Sequence, residues 1–250
     1  MIGRLLLSAC FLLVFVTVSE AQSYAVGVKG GLSVGFQRWD QSFQRDPLYR
    51  YHGILSIETA EEDEPFGLFA QAGYHVRGSA IRTFATSFRS VTGAIIDVPA
   101  RETPFEFRNI SLTLGGKQKF PFGEFSDAYY LFGIRGEYTV STQLRPDNLP
   151  DESQYAILFP IDEYVQNWNY GVTVGGGFEF AISEFVSTLI ELTVSPDFSR
   201  QYSQPEIPNV ANPNPNGVSN TITIRERQIV NTSIELTLGF RFLRKIIYVD

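Results

Sequence analysis

Cysteine is almost missing from this chain: Cys10 stands alone, inside an apolar opening segment. If cleavage follows Ala21, the remaining protein has none, which excludes disulfides and thiolate metal sites. Histidine is nearly as scarce, and His52 and His75 show no transition-metal ligand spacing. Charged residues make up 19% of the chain, below the rough quarter of an ordinary soluble domain. The net charge of −7 disfavours a general nucleic-acid binder. After the opening segment no apolar run reaches the about 18 to 20 residues of a spanning helix, so a helical membrane protein is excluded.

The opening segment itself reads as a secretory leader. Met1 to Arg4 is short and positive, Leu5 to Val18 is apolar, and Ser19-Glu20-Ala21 ends on a small residue suited to cleavage before Gln22. Residues 1–21 are therefore expected to be a signal peptide and 22–250 a single β-barrel domain. Leu7-Ser8-Ala9-Cys10 looks superficially like a lipoprotein cleavage box, but the strongest apolar stretch, Phe11 to Val16, follows it rather than preceding it.

What the chain has in quantity is Phe, Tyr and Gly, arranged with period two. In Gln228 to Phe242 the even positions are mostly apolar and the odd ones polar or minimal, the signature of a two-faced strand. Trp168 to Ile182 repeats it. The same template fits Tyr24 to Phe36, Leu68 to Ala80, Tyr130 to Ser141 and Ile110 to Gly116, and more loosely Ile54 to Thr59 and Thr188 to Ser195. That predicts an all-β, eight-stranded antiparallel up-and-down barrel. Phe105 to Asn109 runs out of phase with the strand it precedes, so a bulge or a later strand start is expected there. Connections 37–52, 83–104, 145–166 and 198–225 are long and polar, whereas 61–65, 121–127 and 183–184 are tight. Such asymmetry belongs to a transmembrane barrel with brief periplasmic turns, long outer loops and both termini periplasmic.

Alternation does not say which face points outward, since a soluble lipocalin-like carrier has the same period with the faces exchanged. Three observations favour a polar interior. The polar face is rich in glycine, for example Gly27, Gly31, Gly115, Gly171 and Gly177, as a narrow lumen requires. It also carries Lys29, Arg77, Lys117, Arg135 and Arg241 against Glu58, Glu137, Glu179, Glu191 and Glu235, a balance that suits a paired luminal network. On the apolar face, Tyr24 with Phe36 and Trp168 with Phe180 stand about 40 Å apart along the strand. Tilting reduces that to roughly 30 Å, the span between two aromatic girdles.

The opening Tyr24-Ala-Val-Gly-Val-Lys-Gly-Gly-Leu-Ser-Val-Gly-Phe36 and the closing Ile234-Glu-Leu-Thr-Leu-Gly-Phe-Arg-Phe242 resemble the strands of small Bacteroidota outer-membrane barrels, the PorT-like branch of the OmpA-type eight-stranded barrels. The resemblance implies outer-membrane residence, no catalytic residues and, for the PorT branch, a tie to a type IX secretion apparatus. Phe242 is followed by a further eight residues, so either Tyr248 serves as the terminal aromatic or that signal is internal.

Chemistry is thinly represented. An outer-membrane acyl hydrolase would need His52 or His75 with a serine such as Ser56, Ser87 or Ser90. His52 reads as a rim residue, His75 as a hydrogen-bonded luminal one, and the Gly-x-Ser-x-Gly elbow is absent. Glu61-Glu62-Asp63-Glu64 is an acidic turn without the alternating ligands of a calcium loop. Residues 212–216, with Pro213 and Pro215, mark a polar outer loop, and Tyr155 to Ile161 is an apolar stretch expected to fold onto the barrel rim. The expectation is a monomeric, non-enzymatic barrel without metal or cofactor, its lumen blocked by paired charges. It contacts membrane lipid and serves as a scaffold or a component of an envelope or secretion assembly. A narrow channel for ions or small solutes is the transport alternative.

Overall fold

The computed structural model describes residues 23–39, 45–60, 64–89, 93, 95–123, 125–146, 156, 159–213 and 219–244. The expected leader, the residues 61–63 of the acidic turn and the 214–216 portion of the polar loop lie outside them. In chain order the strands are β1 (Tyr24–Trp39), β2 (Asp46–Thr59), β3 (Phe66–Thr83), β4 (Thr86–Arg89), β5 (Ile95–Val98), β6 (Arg101–Pro121), β7 (Ser126–Gln143), β8 (Trp168–Ala181), β9 (Val186–Pro196), β10 (Tyr202–Gln204), β11 (Ile207–Ala211), β12 (Thr221–Ile224) and β13 (Arg227–Arg244).

Eight of these form the closed barrel β1-β2-β3-β6-β7-β8-β9-β13, and β13 returns to pair with β1 from Tyr24↔Arg244 to Trp39↔Ile229. Every neighbouring pair is antiparallel. Closure leaves no sheet edge whose backbone groups need water. The short connections after β2, β6 and β8 lie at the end where the chain enters and leaves, here called the terminus end. The longer connections lie at the opposite, loop end.

The apolar positions of the alternating strands point outward. Val26, Val28 and Leu32 on β1, Leu112 and Leu114 on β6, Leu192 and Val194 on β9, and Leu236 and Leu238 on β13 are all exposed. Aromatic contacts flank this aliphatic belt. Phe120 meets Tyr130 and Phe122 meets Phe178 toward the terminus end, and Tyr138 meets Trp168 toward the loop end. Inside, Lys29, Ser33, Gln71, Thr113, Thr193 and Thr237 are buried.

All the barrel strands but β8, which stops at Ala181 rather than Ile182, exceed their predicted lengths. β2 starts at Asp46 rather than near Ile54. Its alternation runs unbroken, with Leu48, His52, Ile54 and Ser56 inside and Tyr49, Tyr51 and Leu55 outside, but the inward face mixes apolar with polar residues and so does not stand out by polarity. The one extra residue it takes against β3 between Pro47↔Ser79 and Gly53↔Tyr74 leaves that phase intact. At Phe105 to Asn109 the expected irregularity falls on the partner strand. Arg108 faces Ser141 while Asn109 faces Thr139, which makes Val140 on β7 the extra residue. Phe105 and Phe107 keep their phase and are buried, so apolar side chains fill the lumen at this level. Loop 83–104 contains the β4–β5 hairpin and loop 198–225 contains β10 and the β11–β12 hairpin.

The glycines of the luminal face have a sharper cause than lack of room. A Cβ on Gly31 would overlap the carbonyl oxygen of Leu236, and one on Gly177 that of Ile190, both backbone atoms of the adjacent strand. Tight coiling, rather than crowding from across the lumen, keeps these positions bare.

Candidate functional site

All ten sequence-predicted luminal charges point into the barrel, and they meet in layers. Nearest the terminus end, Lys117 Nζ lies 3.2 Å from both Glu58 and Glu179, Arg241 pairs with Glu58 and lies 3.0 Å from Glu179, and Lys119 Nζ reaches Glu179 at 2.8 Å. This layer floors a vestibule of about 840 Å³ that opens past Ser23, Glu64, Asp127 and Glu184. Above it Lys29 Nζ pairs with Glu191 at 3.0 Å, and the Tyr129 hydroxyl donates to the same carboxylate. Phe69, Tyr129 and Leu131 form an apolar cluster of buried side chains within the barrel.

The central layer is the driest. Arg77 donates through Nε and Nη2 to Glu137, at 2.9 and 2.6 Å, and through Nη1 to Ser233. Glu137 also lies 2.9 Å from Arg135 and accepts from Asn109, and Arg135 pairs with Asp197. His75 Nδ1 lies 2.8 Å from Glu235. The void between these groups measures about 10 Å³, room for about one water molecule. An ion moving along the axis therefore meets a layer of mutually bonded side chains.

Polar and apolar side chains close the loop end. Gln201 donates to Asn109 and Thr139 and accepts from Asn231. Over it Phe107, Leu144, Tyr202 and Ile229 form a buried cluster against Trp39, Tyr164 and Val165. Phe159 lies 6.5 Å from Phe105, and the Ile161 N–H donates to the Tyr202 hydroxyl. The described part of the apolar stretch 155–161 thus folds onto the rim as expected; residues 155, 157 and 158 lie outside the described residues.

Sequence reasoning misplaced His52 and missed several partners. Because β2 begins early, His52 lies within the strand rather than at the rim: it is buried, stacked at 5.5 Å on His75, with Nε2 2.9 Å from Thr237 Oγ1. Ser87 donates to Asp97 on an exposed hairpin, and Ser56 lies inside the barrel. Among the described residues no hydrogen bond joins His52 to a serine. Ser90 lies outside them. Asp197 continues the odd-numbered luminal series Thr193, Ser195, but Pro196 hides the alternation. The paired Arg50 and Glu106 stand 56 positions apart, with β3 and the loop after it between them, and lie where the expected pattern broke down.

No family model and no curated protein matches the chain. Among solved structures it is similar to Neisserial surface protein A, at 11% identity over 89% of this chain and 97% of that one, with a TM-score of 0.44. It is also similar to the outer membrane protease OmpT from Escherichia coli, at 9% identity, 90% and 98% coverage and a TM-score of 0.43. A third is the N-terminal β-barrel domain of Pseudomonas aeruginosa OprF, at 11%, 88%, 99% and 0.38.

Proposed function

We propose that the chain is an integral outer-membrane barrel with a closed lumen, acting as a non-enzymatic membrane scaffold that presents its loop end outside and its vestibule to the periplasm. The observation that carries this is an aliphatic outer belt wrapped around an ion-paired interior whose central void holds only about 10 Å³. Lipid is the solvent that suits such an exterior, because each outward Leu or Val would otherwise remain hydrated. The periplasmic placement of both ends follows from the short turns sharing their side of the barrel.

Folded protein in a planar bilayer tests the reading. A closed lumen gives no steady current, and extraction requires detergent. Steady single-channel steps would instead favour a narrow pore, to which the open vestibule lends support, since only the layers above it block the axis. Release from membranes without detergent would defeat both readings. A place in an envelope or secretion assembly of the type IX kind rests on the resemblance of the first and last strands. Co-purification of such components with the detergent-solubilised barrel is the result it requires.

A further inference from the structure

Each buried cation of the luminal network has a carboxylate close by: Lys29, Arg77, Lys117, Arg135 and Arg241 all lie within 3.2 Å of one. The loop end departs from this rule. Arg45, just before β2, lays its guanidinium carbon 3.6 Å from the centre of the Trp39 ring and 4.1 Å from that of Phe105. Its Nε and Nη1 are buried and have no acceptor. Gln204 is 1% exposed; its Oε1 accepts from the Tyr202 hydroxyl at 2.7 Å, while its Nε2 is buried with no partner. Arg227 sits opposite Gln204 in the β10–β13 register, near enough to Arg45 for its charge to act there. Among the described residues no carboxylate pairs with Arg45 or Arg227.

Buried donors without acceptors are expensive, and a native fold rarely keeps several together unless something supplies the missing oxygens. Burial first, and then the charge of Arg227, bring the Arg45 guanidinium down to about 10, as expected for a cation lacking a counter-charge. Gln204 and Arg227 are register partners and the charge of Arg227 acts on Arg45, so a ligand shared by the three side chains needs oxygens in several directions. A tetrahedral oxyanion provides these, and a planar carboxylate does so less well.

We infer that the loop end holds an anion site in which Arg45, Arg227 and the Gln204 amide take a phosphate-type oxyanion, with the mutually perpendicular rings of Trp39 and Phe105 flanking the Arg45 guanidinium. The chemistry is the same whether the phosphate is free or carried on a lipid headgroup. The site does not depend on the scaffold reading, since it requires only the closed fold.

Trp39 is itself the reporter, because the chain has two tryptophans and Trp168→Phe leaves one. The full chain, folded in maltoside micelles, is titrated with inorganic phosphate at constant ionic strength set by chloride, and separately with phosphatidic acid doped into the micelles. The expected result is a saturable change in Trp39 fluorescence, about tenfold weaker in binding for Arg45→Gln and several-fold weaker for Arg227→Gln. Saturation in both arms identifies free phosphate as sufficient, and saturation with phosphatidic acid alone identifies a lipid-borne group. As a readout that needs no variant, phosphate should raise the temperature of heat-modified gel mobility where chloride does not. Failure of both arms overturns the inference, as does binding unchanged in Arg45→Gln and Arg227→Gln. If Arg45→Gln does not fold, the Arg227→Gln titration and the shift in unfolding temperature decide.

Discussion

The central and terminus-end layers of the lumen use the same chemistry in different solvent. At the centre Arg77 and Glu137 have side chains 1% and 0% exposed. At the vestibule Arg241 and Glu58 are each 11% exposed, and Lys119 reaches 24%. Both layers are networks of cations and carboxylates on inward strand positions. The difference is what happens when one member is lost. In the centre only other buried side chains solvate a charge, so a survivor is left short of partners with no water to replace them; in the vestibule water takes the partner's place.

Substitutions can break or sharpen this contrast. Arg77→Leu leaves the buried Glu137 with Arg135 and Asn109 alone and should cost roughly 3–5 kcal/mol in urea unfolding from lipid vesicles. The double variant Arg77→Leu/Glu137→Leu should recover a large part of that loss. If it is no more stable than the single one, the effect was packing rather than stranded charge. Gly31→Ala, in the same layer between His52 and Thr237, forces a Cβ against backbone and should cost about 1–3 kcal/mol. Glu179→Gln at the vestibule leaves Lys117 and Arg241 with Glu58 and with water, so about 1 kcal/mol is expected in the same assay. A loss equal to that of Arg77→Leu would show that the vestibule is as dry as the centre. Smallest of all, Arg82→Ala removes an exposed ion pair to Glu102 at the loop end and should change the unfolding midpoint by less than about 0.5 kcal/mol.

Much of this arrangement was legible along the chain. Once the glycine-rich, charge-balanced face was assigned to the interior, Lys29, Arg135, Glu179 and their companions followed from parity alone. The reading failed where inward positions are apolar, toward the loop end. The first half of β2 keeps the parity of the second, and His52 stands on the same inward face as Ile54 and Ser56, but that face carries Leu48 and Ile54 beside His52 and so was not separable by polarity. Phe105 and Phe107 likewise keep the inward parity of Asn109 and Ser111 and looked out of phase only because they are apolar. The anion-seeking cap left no comparable pattern, because Arg45 lies in a connection and meets Trp39 and Phe105 only through the fold.

Period two by itself determined that there would be a two-faced barrel, which side chains would share a face, and that the inner face would carry balanced charge. Pairing was decided by closure. Lys29 and Glu191 lie 162 positions apart, and Arg77 meets Glu137 across 60. Local alternation records only the side of the sheet on which a residue stands, whereas its height and angle around the lumen depend on register, coiling and bulges accumulated over the whole ring.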